Sequence, residues 1–499
     1  MLSSSAALPR WLHRAGLLLL LAAILFPLVF DVFRAPIQTW DESRLAANAI
    51  EMYWSHNWLV TTYQHQPDLW NTKPPLLIWL QVLLLDLGLR GEVAMRLPTV
   101  LACVATVLAL YRFASRTLRN TGAGLLAGFI LVTSPGYVRE HVSRTGDYDA
   151  LLILWITLEL LAFYLYLETN RRRYLVLWAI ALSASILTKG VAGLLGSPAL
   201  VLYALNQRKL LPLLRQPAVW LALISAFAVP ALYYLARERA LPGYWHAVQL
   251  NELGGRFQNA LESHDGPWYY YFRNAATRFF VSWLPLLPPS LLILAFERDA
   301  ATRRLIWLLA LFVGCWLLVI STAATKLEWY EAPLYPILAL LIALALTTLF
   351  QRWQQSSAMS PRWQVITGTL ALLALVWLPY KQIIDLIITN RQNDITWGPE
   401  VRYGYYLGRY VRQHPEDKTI DVYHPGTLYG SSFWFYRQAL ARESVKVQPH
   451  SSREQLNLVT GAHVIVCTPE EQQVLADRYQ VTKLEEEGPC ATFEVWAKK

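Results

Sequence analysis

Asp41-Glu42-Ser43-Arg44 stands just past the first long apolar run of the chain, and Lys73-Pro74-Pro75 follows in the same loop, so acids and a lysine meet beside a membrane-sized segment. A carboxylate in that position can take or orient the proton of an attacking hydroxyl. A compact ammonium on a stiff Pro-Pro segment can neutralise charge that develops on a departing phosphate. Charge beside hydrocarbon is costly to desolvate, so its concentration here asks for a function, and a lipid-phosphate substrate supplies one. The plainer alternatives are that Asp41 and Glu42 cap the following amphipathic helix and that Lys73 snorkels to the interface.

Further polar groups recur at the ends of apolar runs. Asp147 and Asp149 precede one run; two residues apart, they share a face if extended and diverge by about 200° if helical, so only one faces a common site in a helical mouth. Arg256 and Lys326 are candidate phosphate contacts, although outer-face cations also anchor helices to headgroups. His264-Asp265 leads into Trp268-Tyr269-Tyr270-Tyr271 in a long loop whose aromatic faces suit a sugar ring and whose histidine suits a phosphate.

The elements that must position these groups are membrane helices. With 55% hydrophobic and 16% charged residues in 499, the chain is not an ordinary soluble enzyme. The net charge of +9 comes from short basic clusters between apolar runs, the pattern of cytoplasmic loops, and this excludes a nucleic-acid footprint. Arg10, His13 and Arg14 precede the run Leu17 to Phe30, which has no small-residue cleavage site after it and reads as an uncleaved first helix with a cytoplasmic N-terminus. Further spans are expected near 94–112, 121–140, 149–167, 174–189, 191–206, 217–236, 278–296, 304–322, 332–350 and 363–386, giving about 11 to 13 transmembrane helices in all. Pro74 to Leu89 is shorter than the about 20 residues a span needs. Placing it on the outer face as a juxtamembrane helix puts Arg112, Arg116, Arg119, Arg171 to Arg173, Arg208, Lys209, Arg215, Arg298, Arg303, Arg304, Arg352 and Arg362 all on the cytoplasmic side.

From about Thr396 to Lys499 the composition turns soluble. Strands are expected at Thr419 to Tyr423, Ser444 to Val447 and Ala462 to Cys467, and helices at Val401 to Arg412, Leu428 to Arg442 and Glu470 to Tyr479. This gives a small α/β domain at 396–499, on the periplasmic side, following a membrane domain at 1–390. It shows no phosphate loop or nucleophile elbow, so a structural or acceptor-docking role is expected of it. Cys467 and Cys490 both fall in it, where an oxidising compartment permits a disulfide; Cys103 and Cys315 fall in spans as packing residues.

The ordered set of motifs resembles the GT-C membrane glycosyltransferases, in particular the lipid A aminoarabinose transferase and protein O-mannosyltransferase branch. It comprises Asp41 to Arg44, His56-Asn57-Trp58, Lys73-Pro74-Pro75-Leu76, Arg144 to Asp149, Thr188-Lys189-Gly190, Gly255-Arg256 to His264, Pro267 to Tyr270, and Lys326 to Tyr330 with Pro333 and Pro336. The resemblance implies a polyprenyl-phosphate sugar donor, an envelope acceptor such as lipid A, a glycan or a protein, and inverting transfer on the outer face of a bacterial inner membrane. It implies catalytic loops at 32–93, 141–149, 237–277 and 323–331. Asp41, Asp149 and Asp147 are the catalytic candidates, and Glu42, Lys73, Arg256, His264, Tyr270, Lys326 and Tyr330 the substrate-binding ones. No residue is assigned to a metal, and a divalent ion is the one cofactor left open. Thr72 stands where the family often has Glu, which argues against a metal at that point, and Glu328 stands at a position commonly proline. The alternative from another class, a transporter or flippase, calls for ionisable residues near the midplane and paired repeats. Only Glu159 lies inside a span in that way.

Overall fold

The computed structural model describes residues 10–356, 359–392, 398–425 and 430–499. The expected domain boundary at Thr396 and helix start at Leu428 lie outside the described residues. In chain order the membrane part contains α1 (Arg10–Val29), α2 (Asp41–Ser55), the hairpin β1 (Thr62–Tyr63) and β2 (Gln66–Pro67), α3 (Leu76–Asp86), α4 (Gly91–Arg116), α5 (Thr121–Val132), α6 (Tyr148–Thr169), α7 (Arg172–Lys189) and α8 (Ser197–Asn206). It continues with α9 (Leu210–Leu214), α10 (Pro217–Ala240), α11 (Tyr244–Val248), α12 (Gly255–Gln258), α13 (Tyr270–Asn274), α14 (Leu287–Ala295), α15 (Ala300–Thr322), α16 (Tyr335–Ser356) and α17 (Pro361–Gln392).

Among the described residues, seven helices are long and apolar enough to cross a bilayer, or eight if the bent pair Tyr270–Phe279 and Leu284–Ala295 is one span. Apolar side chains such as Leu221, Leu232, Leu292, Leu318 and Trp377 stand exposed on the outside of the bundle, where lipid rather than water is their solvent. The protein is a polytopic membrane protein, and among the described residues several of the expected spans are shorter or bent helices.

The differences have local causes. The span expected at 121–140 ends at Val132, because Pro135 disfavours helix at Ser134 and Gly136 leaves room for the ring of Tyr335. The span expected at 191–206 starts only at Ser197, after a 3₁₀ turn over Gly190–Leu194. There Gly190 has φ +56° and Gly193 abuts the backbone of Ser185 so closely that a Cβ would lie 2.5 Å from its carbonyl carbon. The span expected at 278–296 is bent by 114° at its break. The segment expected to lie on the surface rather than cross is α3, an 11-residue helix.

The C-terminal part contains α18 (Pro399–Gln413), β3 (Thr419–Tyr423), α19 (Ser431–Ala441), β4 (Lys446–His450), β5 (His463–Val466), α20 (Pro469–Arg478), β6 (Tyr479–Glu487) and β7 (Cys490–Lys498). Its five-stranded sheet runs β4-β3-β5-β7-β6, with β3 parallel to β4 and β5, and β7 antiparallel to β5 and β6. Both halves of a β-α-β pattern are as expected. The antiparallel edge β6–β7 is additional; β6 is a charged, largely exposed edge strand, so its sequence lacks the alternation that marks a half-buried one. Cys467 and Cys490 form a disulfide across the β5–β7 neighbours.

Candidate active site

Asp41 is the first residue of α2, and the residue before it, Trp40, holds φ +67°, a left-handed conformation that a tryptophan adopts only under constraint. Its neighbour Glu42 is held in place from three sides. Its buried carboxylate takes two hydrogen bonds from Arg96, at 2.6 and 2.7 Å, and accepts from the backbone N–H of Gln38 at 2.8 Å and of Gly146 at 2.7 Å. Arg96, fully buried in α4, also donates to the carbonyls of Val32, Ala35 and Pro36. A buried guanidinium–carboxylate pair persists only when its remaining donors and acceptors are met, as they are here. Glu42 therefore joins the loop before Asp41 to the loop before Asp147. It does not line the cavity, which corrects its expected place among the substrate contacts.

The second acidic group arrives from the start of α6. Asp147 caps the helix, with Oδ1 accepting the Tyr148 N–H at 2.6 Å. Its Oδ2 lies 2.6 Å from Nδ1 of His141, and the same nitrogen is 3.5 Å from Asp41 Oδ2. The imidazole stacks on Trp329, with ring centroids 3.6 Å apart. Burial raises the Asp41 carboxyl above its usual range, and the neighbouring Asp147 carboxylate adds to the rise. Burial works against the imidazolium of His141, yet the Asp147 hydrogen bond and charge outweigh it, so His141 is raised. Burial likewise opposes ionisation of Asp147, but His141 outweighs it and Asp147 is lowered. Ligand-capable atoms of Asp41, His141 and Asp147 all lie within 4.8 Å of one another.

Asp149 turns away from this cluster and pairs with Lys189 at the end of α7, whose Nζ donates to both oxygens at 2.7 and 2.6 Å. Asp147 stands at the N-cap with extended backbone, and both acids line one cavity of about 670 Å³, where a helical Asp-Tyr-Asp was expected to present only one of them. Asp41, Lys73, His141, Asp147, Asp149, Lys189, Glu252, Arg256, His264 and Tyr330 line it, beside an apolar wall from Leu152, Leu195, Val319 and Ile320. Lys73 lies 3.6 Å from Glu252 Oε1, which also accepts from the Thr72 hydroxyl at 3.0 Å. A carboxylate thus reaches the point beside Lys73 from a distant loop, although Thr72 itself carries none.

Two other expected contacts lie outside this cavity. Lys326 Nζ donates to the carbonyls of Ile320, Ser321 and Ala323 at the end of α15, a cation satisfying a helix C-terminus. Tyr270 sits with Lys326 around a separate, more open depression. Sequence reasoning passed over His141 and Glu252 and gave Lys189 no role. Lys189 was signalled by a lysine ending an apolar run, since an intramembrane charge demands a partner. Glu252 carried no comparable signal, because its neighbour Lys73 is remote in sequence.

Residues 72–234 match the family profile described as dolichyl-phosphate-mannose-protein mannosyltransferase. The undecaprenyl phosphate-alpha-4-amino-4-deoxy-L-arabinose arabinosyl transferase of Pseudomonas savastanoi pv. phaseolicola is 30% identical over 405 residues, covering 79% of this chain and 72% of that protein. The undecaprenyl phosphate-alpha-4-amino-4-deoxy-L-arabinose arabinosyl transferase 2 of Proteus mirabilis is 28% identical over 326 residues, 64% of this chain, and the chain spans only 56% of its length. Among solved structures, ArnT from Cupriavidus metallidurans bound to undecaprenyl phosphate superposes with a TM-score of 0.67 at 15% identity, covering 96% of this chain and 98% of that one. The fold is therefore of the GT-C type, as the motifs led one to expect, and the chain belongs to the family of the undecaprenyl phosphate-alpha-4-amino-4-deoxy-L-arabinose arabinosyl transferases.

Proposed function

We propose that the protein is an inverting glycosyltransferase that moves a sugar from a polyprenyl-phosphate donor to an envelope acceptor, with lipid A the first candidate. The observation that carries this reading is the meeting of Asp41, Lys73, Arg256 and Tyr330 in one cavity whose wall continues into apolar side chains. A donor of this class has a charged phosphate and a long hydrocarbon chain, and such a cavity offers a surface for each. The relatives' names supply the sugar, 4-amino-4-deoxy-L-arabinose, as the first to test.

In the proposed reaction an acceptor oxygen attacks the anomeric carbon, the bond from that carbon to the lipid-phosphate oxygen breaks, and the electron pair leaves on the phosphate. Lys73 and Arg256 neutralise the departing phosphate. Asp41 takes the proton of a hydroxyl acceptor; a phosphate acceptor has largely lost its proton near neutral pH, and Asp41 then orients it. The Asp149–Lys189 pair offers the sugar one acceptor and one donor group. Asp41, His141 and Asp147 present two carboxylates and one imidazole, a donor set that also fits a divalent ion. Held there, such an ion would add positive charge beside the phosphate, and elemental analysis of purified protein decides whether one is bound. The outer loops and the C-terminal part are placed on the periplasmic side of a bacterial inner membrane, with the N-terminus in the cytoplasm.

The test is binding of undecaprenyl phosphate to purified wild type and Lys73→Ala in detergent. Wild-type binding that the variant loses supports the reading. Equal or absent binding in both removes its main support and favours a transporter.

A further inference from the structure

Helix α19 of the C-terminal part is built into the loop from which Asp41 projects. Ser431 and Ser43 share a hydrogen bond at 2.6 Å, two residues along α2 from Asp41. The Ser432 hydroxyl donates to the Ile37 carbonyl at 3.0 Å, and Trp434 Nε1 donates to Glu51 Oε1 at 2.7 Å. Tyr436 occupies the centre of this contact. Its buried hydroxyl accepts the Ile37 N–H at 3.2 Å and donates to Glu92 Oε1 at 2.7 Å.

Glu92 lies one turn before Arg96 on α4, and Arg96 holds Glu42 and the carbonyls of Val32, Ala35 and Pro36. The loop before Asp41 is thus gripped from the bundle by Arg96 and from the C-terminal part by Tyr436. The ring of Tyr436 is seated against two glycines of α18: a Cβ on Gly404 would fall 2.5 Å from Tyr436 Cδ2, and one on Gly408 would fall 3.0 Å from Cδ1. A tyrosine so placed, with both hydroxyl bonds spent on other segments and its ring in a notch cut for it, transmits the position of one part of the chain to another.

We infer that Tyr436 is a positioning residue for Asp41, and that α19 is a clamp which sets the Val32–Asp41 loop. The inference rests on the reading of Asp41 as the acting carboxylate. It gives the C-terminal part a role in the chemistry without any catalytic group of its own. Trp40 at φ +67° is the expected target of such a clamp, since a constrained conformation persists only while its surroundings hold it.

The test uses the full chain in detergent with three variants. Tyr436→Phe removes both hydroxyl bonds and keeps the ring; Gly404→Ala displaces the ring from the far side; Asp41→Asn is the control for the site. Hydrogen exchange over residues 32–44 and turnover of undecaprenyl phosphate-4-amino-4-deoxy-L-arabinose with lipid A are read together with thermal melting. Tyr436→Phe and Gly404→Ala are each expected to speed exchange in that loop and to lower kcat by about tenfold at a temperature well below melting, leaving donor KM within about twofold, while the lost bonds and the displaced ring lower the melting temperature by only a few degrees. Unchanged exchange and kcat in both variants would overturn the clamp, as would losses of kcat that merely follow a falling melting temperature. Asp41→Asn that retains turnover would sink the reading of Asp41 alone, because loop exchange still judges the clamp without any substrate.

Discussion

Lys189 Nζ lies within 2.7 Å of both oxygens of Asp149, and through this pair the start of α6 is tied to the end of α7 inside the bundle. The pair is buried on both sides. Lys189→Met leaves the Asp149 carboxylate unpaired and should destabilise the protein by about 3–5 kcal/mol. Adding Asp149→Asn should restore much of that stability but not turnover. Thermal melting in detergent with parallel transfer assays checks this; full activity in the double variant would mean that the pair is structural only.

The base of the first loop should be acid-sensitive. Arg44 bonds Asp68 through Nε and Nη2 at 2.8 and 2.9 Å, and Asn48 donates to the same carboxylate at 3.0 Å. Burial pushes the Asp68 carboxyl up, but the Arg44 and Asn48 bonds outweigh it, so its folded pKa lies below the ordinary 3.8. A depressed carboxyl contributes stability that is fully present above the unfolded value and is lost as pH falls through the folded one. Wild type should therefore lose stability as pH falls below about 3.8. Asp68→Asn should be less stable at neutral pH and show a shallower acid loss in melting curves from pH 7 downward.

Lys326 should prove to be a capping residue. Lys326→Met is expected to cost about 1 kcal/mol of stability by freeing the last carbonyls of α15, with undecaprenyl phosphate binding unchanged. A binding loss comparable to that of Lys73→Ala would return Lys326 to the donor site.

Arg90 sits between α3 and α4 and shares a cavity with Arg412 and Arg442 of the C-terminal part, so the two regions lie on one side of the membrane. An Arg90→Cys variant should react with a membrane-impermeant maleimide added to the outside of intact cells stripped of their outer membrane. Labelling only after cell lysis would put that whole face in the cytoplasm.

Much of the site was legible in the chain because acids and cations beside apolar runs are expensive, and Asp41, Lys73, Asp147, Asp149, Arg256, His264 and Tyr330 all reach the cavity. Glu42 and Lys326 carried the same signal for another reason, since burying Arg96 and ending α15 also require charge. Tyr270 was read as part of an aromatic run, and sequence gives no indication of which ring in such a run turns inward. Glu252 escaped notice because its partners Thr72 and Lys73 are remote in sequence, whereas His141 stands only six residues before Asp147 and its spacing was overlooked. In the fold, the apolar runs marked the helices well, yet the breaks at Pro135 and at Gly190 and Gly193 shortened two of them, and a third is bent between Phe279 and Leu284. The contact of α19 with α2 and the loop before it could not be read at all, because it joins residues nearly four hundred positions apart.

Asp41, Lys73 and Arg256 line one cavity, and the proposed reaction has Asp41 act on the acceptor while Lys73 and Arg256 hold the donor phosphate. The most direct measurement is transfer of 4-amino-4-deoxy-L-arabinose from its undecaprenyl phosphate to lipid A by wild type and Asp41→Asn, with undecaprenyl phosphate binding measured on the same preparations. The variant is predicted to bind the lipid as wild type does and to lose about 10²–10⁴-fold in turnover. Turnover equal to that of wild type would make Asp41 a helix cap and contradict the account.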